Sequence, residues 1–224
     1  MSINIAIDGP AGAGKSTIAK RLAKDLGYIY VDTGAMYRTL AVHFIRNHVG
    51  LKDNEKMSAL TDTVNVEIKY ENNEQQLYLN GENVTGLLRT EEVGNMASAC
   101  AVNPDVRKKL TDIQKKMGEI LNVVMDGRDI GTTVLPGADV KIFLTASVEV
   151  RAKRRYDELV AKNIEADFEQ IKSDIADRDY QDSHRKHSPL RQAEDAVLVD
   201  SSFMTIDEVL VSIKQIIGEK IQNG

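Results

Sequence analysis

The stretch that decides the fold lies near the start of the chain, where residues 3–16 are INIAIDGPAGAGKS. Its first part, Ile3–Ile7, is short and rich in β-branched residues, and it stops at Asp8–Pro10, a cluster that ends strands. Lys15–Leu26 follows, with apolar residues recurring every four positions as they do on one face of a helix. A strand, a glycine-rich loop and a helix in this order predict the opening of an α/β unit.

Four more strands are predicted farther along the chain, with helical patterns between them. Their sequences are short and apolar, and they cover Tyr28–Val31, Val123–Met125, Val140–Leu144 and Ala196–Val199. Alternation of this kind is typical of a parallel sheet with helices on both faces. The fold class is therefore α/β, with a five-stranded parallel sheet flanked by helices. A capping box formed by Thr205 and Glu208 marks the start of the last helix.

Two regions depart from this α/β pattern. Between Val64 and Val84 apolar and polar residues alternate, and Asn72-Asn73 and Asn80-Gly81 supply turn signals. We expect a small antiparallel sheet there, inserted in the α/β core. Arg151–Arg185 is helical in pattern but highly charged, with few apolar positions, so we expect it to be exposed and comparatively mobile.

Composition narrows the class of protein and its location. The 224 residues are 42% hydrophobic and 28% charged, which excludes a wholly disordered chain. The net charge of -5 argues against general binding to nucleic acid or to an anionic membrane. We predict a cytoplasmic protein, because the N-terminus does not resemble a signal peptide and no apolar run approaches a membrane span. The single cysteine, Cys100, is expected in the core.

Residues 9–16 match the phosphate-loop pattern G-x-x-x-x-G-K-[ST] between a strand and a helix. The glycines let successive N–H groups point inward, and the helix N-terminus adds partial positive charge at the same place. Lys15 is expected to reach the β- and γ-phosphates, and the Ser16 hydroxyl is expected to bind Mg²⁺. The loop predicts ATP or GTP binding, but switches, motors and small-molecule kinases all use it.

The remaining motifs favour a kinase. The chain has no Asn-Lys-x-Asp motif of the kind that reads guanine in switches. After the strand ending at Met125 comes the turn Asp126–Asp129, which contains Arg128, and an arginine there suggests a second phosphorylated ligand. Two polyanions brought together need fixed positive charge, and the planar guanidinium binds phosphate oxygens in pairs.

Several arginines could supply that charge, and each has a simpler explanation. Arg38 follows Thr33-Gly34, which can open a helix and present N–H groups to an anion. Taken alone, this motif favours Thr33 as a plain N-cap and Arg38 as a solvated side chain. Arg178, Asp182 and Arg185 share one helical face, where a surface salt bridge is an equally good explanation.

A second group of arginines precedes these on the chain. Arg151, Arg154 and Arg155 also share a face, with Glu158 available to pair with Arg154. For these three a solvated surface is favoured, and contact with the donor ATP is the alternative.

Taken together, five segments closely resemble the bacterial cytidylate kinases, phosphate-loop enzymes that phosphorylate CMP and dCMP. They are Ile7–Thr17, Asp32–Arg38, Asp126–Thr132, Val140–Leu144 and Arg178–Arg185. The glycine loop alone is widely shared, whereas the Asp-Gly-Arg-Asp turn combined with inserted strands is much more specific. The resemblance covers nearly the whole chain and implies the P-loop kinase fold in a single domain over residues 1–224. Within it, residues 63–86 would be the monophosphate-binding β insert and 151–187 a helical lid.

The resemblance also implies a role for each matching residue. ATP would be held by Gly9, Pro10, Ala11, Gly12, Ala13, Gly14, Lys15, Ser16 and Thr17. The cytosine ring would be recognised by Ser98, Arg107 and Asp129, and the sugar hydroxyls by Arg178 and Asp182. The acceptor phosphate would be bound by Arg38, Arg128 and Arg185, with Thr33 beside them. Lys15, Arg128 and Arg185 would be catalytic.

The implied reaction is in-line transfer of the γ-phosphoryl group from MgATP to CMP or dCMP, in pyrimidine nucleotide metabolism. The acceptor is already anionic at neutral pH, so no general base is required. The expected partners are these small molecules, without nucleic acid or membrane, and the expected state is a monomer. The alternatives are a kinase for another small acceptor, such as UMP or shikimate, and a nucleotide-binding switch without transferase activity.

Overall fold

The computed structural model describes residues 2–71 and 74–222. By its internal contacts the chain forms two compact units, Met1–Tyr30 with Leu121–Gly224, and Val31–Ile120. The strands are β1 (Asn4–Asp8), β2 (Ile29–Asp32), β3 (Val66–Glu71), β4 (Glu74–Leu79), β5 (Glu82–Asn83), β6 (Val123–Gly127), β7 (Val140–Thr145) and β8 (Val197–Asp200). The helices are α1 (Lys15–Leu26), α2 (Thr33–Arg46), α3 (Asn54–Thr63), α4 (Glu91–Cys100), α5 (Pro104–Ile120), α6 (Val148–Ala161), α7 (Phe168–His184) and α8 (Ile206–Gln222).

The first unit is built on the predicted parallel sheet, whose strand order is β2-β6-β1-β7-β8. The central strand β1 pairs in parallel with both neighbours, Ile5 lying opposite Val124 on β6 and opposite Val140 on β7. Burial on both faces explains why these strands are almost continuously apolar. The carboxyl ends of β1, β6 and β7 lie side by side, and this is the edge where the glycine-rich loop begins.

Helices α1 and α8 supply apolar side chains to the core of this unit. Ile18 and Leu22 of α1 and Leu210 and Ile213 of α8 are buried with the strand residues in one cluster. The predicted capping box is confirmed, because Thr205 N–H donates to Glu208 Oε2 over 2.7 Å and Glu208 N–H donates to Thr205 Oγ1 over 3.3 Å. All five predicted strands are confirmed to within about two residues at each end.

The second unit combines four helices with the predicted antiparallel sheet, in the order β3-β4-β5. Its register places Val66 opposite Leu79, and both side chains are buried. The Asn80-Gly81 turn is confirmed, since both residues have positive φ, 50° and 85°. The predicted turn at Asn72-Asn73 lies outside the described residues.

Within the same unit Cys100 is fully buried, as expected. Burial raises the pKa of its thiol to about 12, which keeps it protonated and unreactive.

The charged segment forms α6 and α7, and its exposure is uneven. No residue of α7 is buried, which agrees with the sequence pattern, but α6 buries Arg151 and Ala152. A solvated surface position is therefore wrong for Arg151, whose guanidinium has protein acceptors. It is correct for Arg155, which pairs with Glu158 over 3.0 Å. It is wrong for Arg154, which is partly buried and donates to the Ser201 carbonyl over 2.7 Å instead of pairing with Glu158. None of the helices formed by residues 2–71 and 74–222 is both long and apolar enough to cross a bilayer.

Candidate active site

The glycine-rich loop follows β1 and passes very close to β7. A Cβ atom on Gly9 would lie 1.9 Å from the Leu144 carbonyl oxygen, and Gly9 has a φ of +150°. Only glycine fits there, because any side chain would collide with backbone that cannot move aside. The close approach fixes where the loop begins relative to the sheet.

Lys15, the first residue of α1, is buried at the end of this loop. Its Nζ donates a hydrogen bond of 2.7 Å to the Pro10 carbonyl, so the side chain turns back over the loop. Burial, followed by the positive charge of Arg128, lowers the pKa of Lys15 to about 7, while Asp126 and Asp8 oppose the shift. A phosphate group next to the amine would favour its charged form.

Ser16 and Asp126 form a hydroxyl–carboxylate pair at the same edge. The Ser16 hydroxyl donates to Asp126 Oδ2 over 2.8 Å, and the Tyr30 hydroxyl donates to Asp126 Oδ1 over 2.9 Å. Hydroxyl and carboxylate oxygens are the donors that Mg²⁺ takes from proteins beside substrate phosphates, so the residues present fit this ion. Sequence analysis named only Ser16; the acidic residue following a buried strand was the available signal for Asp126.

Asp8, the last residue of β1, organises the turn after β6. It is buried and accepts hydrogen bonds from Ile130 N–H, 2.8 Å, and Gly131 N–H, 2.7 Å. Burial raises the pKa of its carboxyl to about 6, although the two backbone N–H groups lower it. The loop and the turn are thus joined through one carboxylate, a residue that sequence analysis did not assign.

The predicted arginines of the first unit are held by predicted acidic residues. Arg128 Nε donates to Asp182 Oδ2 over 2.9 Å, and Arg185 Nη2 donates to Asp129 Oδ1 over 3.4 Å. Arg185 Nη1 also lies 3.9 Å from Asp182 Oδ1. These pairs are not the surface salt bridges considered from spacing, since the Arg185 side chain is only 6% exposed and Arg128 is 22% exposed.

The charges around Asp182 decide its protonation. Burial alone would raise the pKa of Asp182, but the positive charges of Arg128, Arg185 and Arg178 outweigh burial and hold the pKa below its usual value. The carboxylate therefore stays ionised at neutral pH. Arg178 lies one turn before Asp182 on α7, and Arg185 lies directly after the end of that helix.

In the second unit the predicted residues Thr33 and Arg38 lie at the start of α2. The N-cap is Asp32, not Thr33, because Asp32 Oδ1 accepts from Ala35 N–H over 2.8 Å. Thr33 is buried, and Arg38 Nη1 lies 3.4 Å from the place that a Cβ atom on Gly34 would occupy. The guanidinium is thus at the first turn of the helix, where backbone N–H groups favour anions.

Arg107 and Ser98 lie on the helices that follow. Arg107, on α5, is buried, donates to the Ala101 carbonyl over 3.3 Å and lies 5.9 Å from the centre of the Tyr37 ring. Ser98 is partly buried on α4, which packs against α2. The remaining predicted residues, Lys15, Arg128, Asp129, Arg178, Asp182 and Arg185, belong to the first unit.

The first unit has a phosphate loop at the carboxyl end of the central strand of its parallel sheet, an acidic partner for the loop serine and a cluster of partly buried arginines. These features define a phosphate-loop phosphotransferase. A solved protein from Eubacterium ventriosum, described as uncharacterized, has the same fold, with a TM-score of 0.53 at 14% identity over 98% of this chain and 99% of that one.

Sequence comparisons identify the family within this class. Residues 5–219 match the family model described as Cytidylate kinase. The chain is 51% identical over 218 residues to the cytidylate kinase of Ligilactobacillus salivarius, covering 97% of each protein. It is 50% identical over 221 residues to that of Anoxybacillus flavithermus, covering 98% of each. The chain belongs to the cytidylate kinase family and is an ATP-dependent nucleotide kinase, and a family of ATP-using kinases implies a divalent metal ion.

Proposed function

We propose that the protein transfers the γ-phosphoryl group of MgATP in line to the phosphate of CMP or dCMP. The observation that carries the proposal is the arrangement around the carboxyl ends of β1 and β6. Lys15, the Ser16–Asp126 pair and Arg128 lie on neighbouring segments there, and Asp182 contacts both Arg128 and Arg185. One unit thus contains both the loop that would bind a donor triphosphate and arginines that supply fixed positive charge beside it.

The donor side would use the loop residues 9–17. Backbone N–H groups and Lys15 would bind the phosphates, and Ser16 with Asp126 would hold Mg²⁺. The chemistry that Mg²⁺ would supply there is positive charge that offsets the negative charge of the phosphate groups. The Lys15 amine, which donates to the Pro10 carbonyl in this structure, would donate to a phosphate oxygen of the nucleotide instead.

The acceptor side would use the arginines and polar residues that the family resemblance implies. Arg38, Arg128 and Arg185 would bind the acceptor phosphate beside Thr33, and Arg178 and Asp182 would bind the sugar hydroxyls. Ser98, Arg107 and Asp129 would recognise cytosine, because a carboxylate accepts from its exocyclic amine and an arginine donates to its ring acceptors.

The chemical step needs no proton acceptor from the protein. An anionic oxygen of the acceptor phosphate forms the new bond to the γ-phosphorus while the bond to the bridging oxygen of ADP breaks, and no proton is transferred. The protein positions the two nucleotides and stabilises negative charge through Lys15 and the arginines. Residues 151–187 would close over both nucleotides and exclude water, so that ATP is not hydrolysed.

In-line transfer has a stereochemical test. ATP made chiral at the γ-phosphorus with oxygen isotopes should give CDP with inverted configuration. Retention would instead require a phosphorylated protein intermediate and would contradict a direct transfer. CMP-dependent formation of ADP in the same assay establishes the acceptor.

The same proposal extends to the state and location of the protein. The net charge of -5 supports an enzyme that does not bind nucleic acid. Its proposed location is the cytoplasm, and its expected state is a monomer. Sedimentation equilibrium should return the mass of one chain, 24.8 kDa. A concentration-independent dimer would contradict the monomer.

A further inference from the structure

Arg151 lies in the first turns of α6 and is 3% exposed, which is unusual for an arginine. Three of its nitrogen atoms donate hydrogen bonds in three directions. Nε donates to the Ala146 carbonyl over 2.8 Å, Nη1 to the Ala11 carbonyl over 2.9 Å and Nη2 to Asp179 Oδ2 over 2.5 Å. Three different elements are joined through one guanidinium: the end of β7, the phosphate loop and α7.

The contact with Ala11 fixes one peptide group of the phosphate loop. In a planar trans peptide the carbonyl and the following N–H point in opposite directions. Because the Ala11 carbonyl is directed at Arg151, the Gly12 N–H is directed away from it. The Arg151 stem also packs against Gly12, since a Cβ atom there would lie 3.4 Å from Arg151 Cβ, and Gly12 has a φ of +76°. Arg151 therefore determines which side of the loop this N–H group faces.

The contact with Asp179 extends the same link to α7. Asp179 is the neighbour of Arg178 and lies three residues before Asp182, which is paired with Arg128. Its second oxygen, Oδ1, is buried and has no hydrogen-bond partner among the described residues. Arg151 thus compensates a carboxylate whose second oxygen is buried, and losing either partner would break this link between α7 and the loop.

We propose that Arg151 is a positioning residue for the donor nucleotide, which orients the Ala11–Gly12 peptide of the phosphate loop and, through Asp179, couples that orientation to the helix carrying Arg178 and Asp182. The first part of the proposal, the orientation of the Ala11–Gly12 peptide, is called the loop part and holds for any acceptor. The second part, the link through Asp179 to α7, is called the coupling part and rests on the proposed function. A lysine cannot replace Arg151, because a single ammonium group cannot reach three acceptors spread around a planar fork.

The test of the loop part is calorimetric titration of the full chain with the magnesium complex of β,γ-imido-ATP. Arg151→Met should raise the Kd about tenfold or more, the loss expected for a hydrogen bond made by a charged group, and Arg151→Lys should restore only part of it. The matched control is Arg21→Met, which breaks an Arg21–Asp207 pair of 2.7 Å whose side chains are 52% and 75% exposed. Its Kd should stay within about twofold of wild type.

If Arg151 only stabilises the fold, the result is different. Arg151→Met then lowers the melting temperature, but the folded variant binds the analogue with a Kd within about twofold of wild type. That outcome would overturn the loop part of the proposal. If Arg151→Met does not fold, Arg151→Lys decides by the same criterion, because it keeps the positive charge beside Asp179.

The test of the coupling part repeats the titration with and without CMP. In wild type CMP should strengthen analogue binding, by a factor of about five or more. Asp179→Asn should reduce this factor to near one, whereas Asp207→Asn, the control, should keep it. An unchanged factor in Asp179→Asn, or no effect of CMP in wild type, would overturn the coupling. A wild-type protein that fails to phosphorylate CMP would refute the proposed function and leave the analogue titration to decide the loop part.

Discussion

The Ser16 hydroxyl and the Asp126 carboxylate are joined by a hydrogen bond of 2.8 Å, although they are 110 residues apart in the chain. The contact arises because β1 and β6 are neighbours, so that the loop after β1 and the last residues of β6 meet at one edge of the sheet. A hydroxyl and a carboxylate held this way are prepared for a divalent ion that arrives with a nucleotide.

Asp126→Asn should therefore change the metal dependence of the enzyme. The amide keeps nearly the same shape but loses the negative charge, so more Mg²⁺ should be needed for half-maximal activity. Tyr30→Phe, which removes only the hydroxyl donating to the other Asp126 oxygen, should have a smaller effect. Initial rates over a Mg²⁺ titration at fixed ATP measure both. An Asp126→Asn curve that overlays wild type would exclude this carboxylate from the metal site.

Lys15→Met should lower kcat by about 100- to 1,000-fold, because it removes a positive charge from the phosphates undergoing transfer. The fold should survive, since a buried ammonium is replaced by an apolar side chain of similar length. Lys24→Met, on the exposed side of the same helix, is the control and should turn over normally. Near-normal turnover of a folded Lys15→Met protein would count against the donor-site assignment.

Asp129→Ala should weaken the use of CMP by about 1 to 3 kcal/mol in kcat/KM, as expected when a buried polar contact is lost. The same change frees Arg185 from its 3.4 Å contact, so part of the loss should appear with every acceptor. The ratio of CMP to UMP isolates base recognition from that general effect. If this ratio does not change, the cytosine ring is recognised elsewhere.

Asp8 gives the unfolding free energy a specific pH dependence. Its folded pKa is raised from 3.8 to about 6, so between these values the folded state binds a proton that the unfolded state has lost. The Asp8 contribution to stability is therefore largest below about pH 4, falls as pH rises, and levels off above about pH 6 at a cost of roughly 3 kcal/mol.

Urea unfolding of wild type and Asp8→Asn across pH 4 to 7 measures this effect. The difference in unfolding free energy should shift in favour of Asp8→Asn as pH rises, because all other titrating groups are common to both. A difference independent of pH would contradict the raised pKa. The part of the difference that does not change with pH reports a lost hydrogen bond. Asparagine has a single side-chain oxygen, so it cannot accept from both Ile130 N–H and Gly131 N–H.

The sequence predicts best those features that depend on residues close together in the chain. The loop at residues 9–16, helix α1 and the capping box at Thr205 depend on neighbours within a few positions, and they were predicted with nearly correct bounds. The burial of Arg151 depends on Ala11, 140 residues away, and on Asp179. Helical spacing on α6 cannot show which of its three arginines faces acceptors elsewhere in the fold, so the predicted exposure is correct for Arg155 and wrong for Arg151 and Arg154.

Asp8 was missed for a related reason. In the sequence it looks like a residue that simply ends a strand before a turn. Its role becomes visible only when the sheet brings Ile130 and Gly131, more than 120 residues later, within hydrogen-bond distance. The nucleotide-binding roles predicted for the site residues, Ser98, Arg107 and Arg178 among them, remain predictions, because they concern a nucleotide and not the protein's own contacts.

The central claim is that this donor site serves a cytidine nucleotide as acceptor. Its most direct measurement is the rate of ADP formation from MgATP with CMP, dCMP, UMP, AMP and GMP supplied one at a time, with identification of the phosphorylated product. We predict rapid, acceptor-dependent ADP formation with CMP and dCMP, yielding CDP and dCDP, and far slower reactions with the purine nucleotides. ADP formation at the same slow rate with and without CMP would contradict the account.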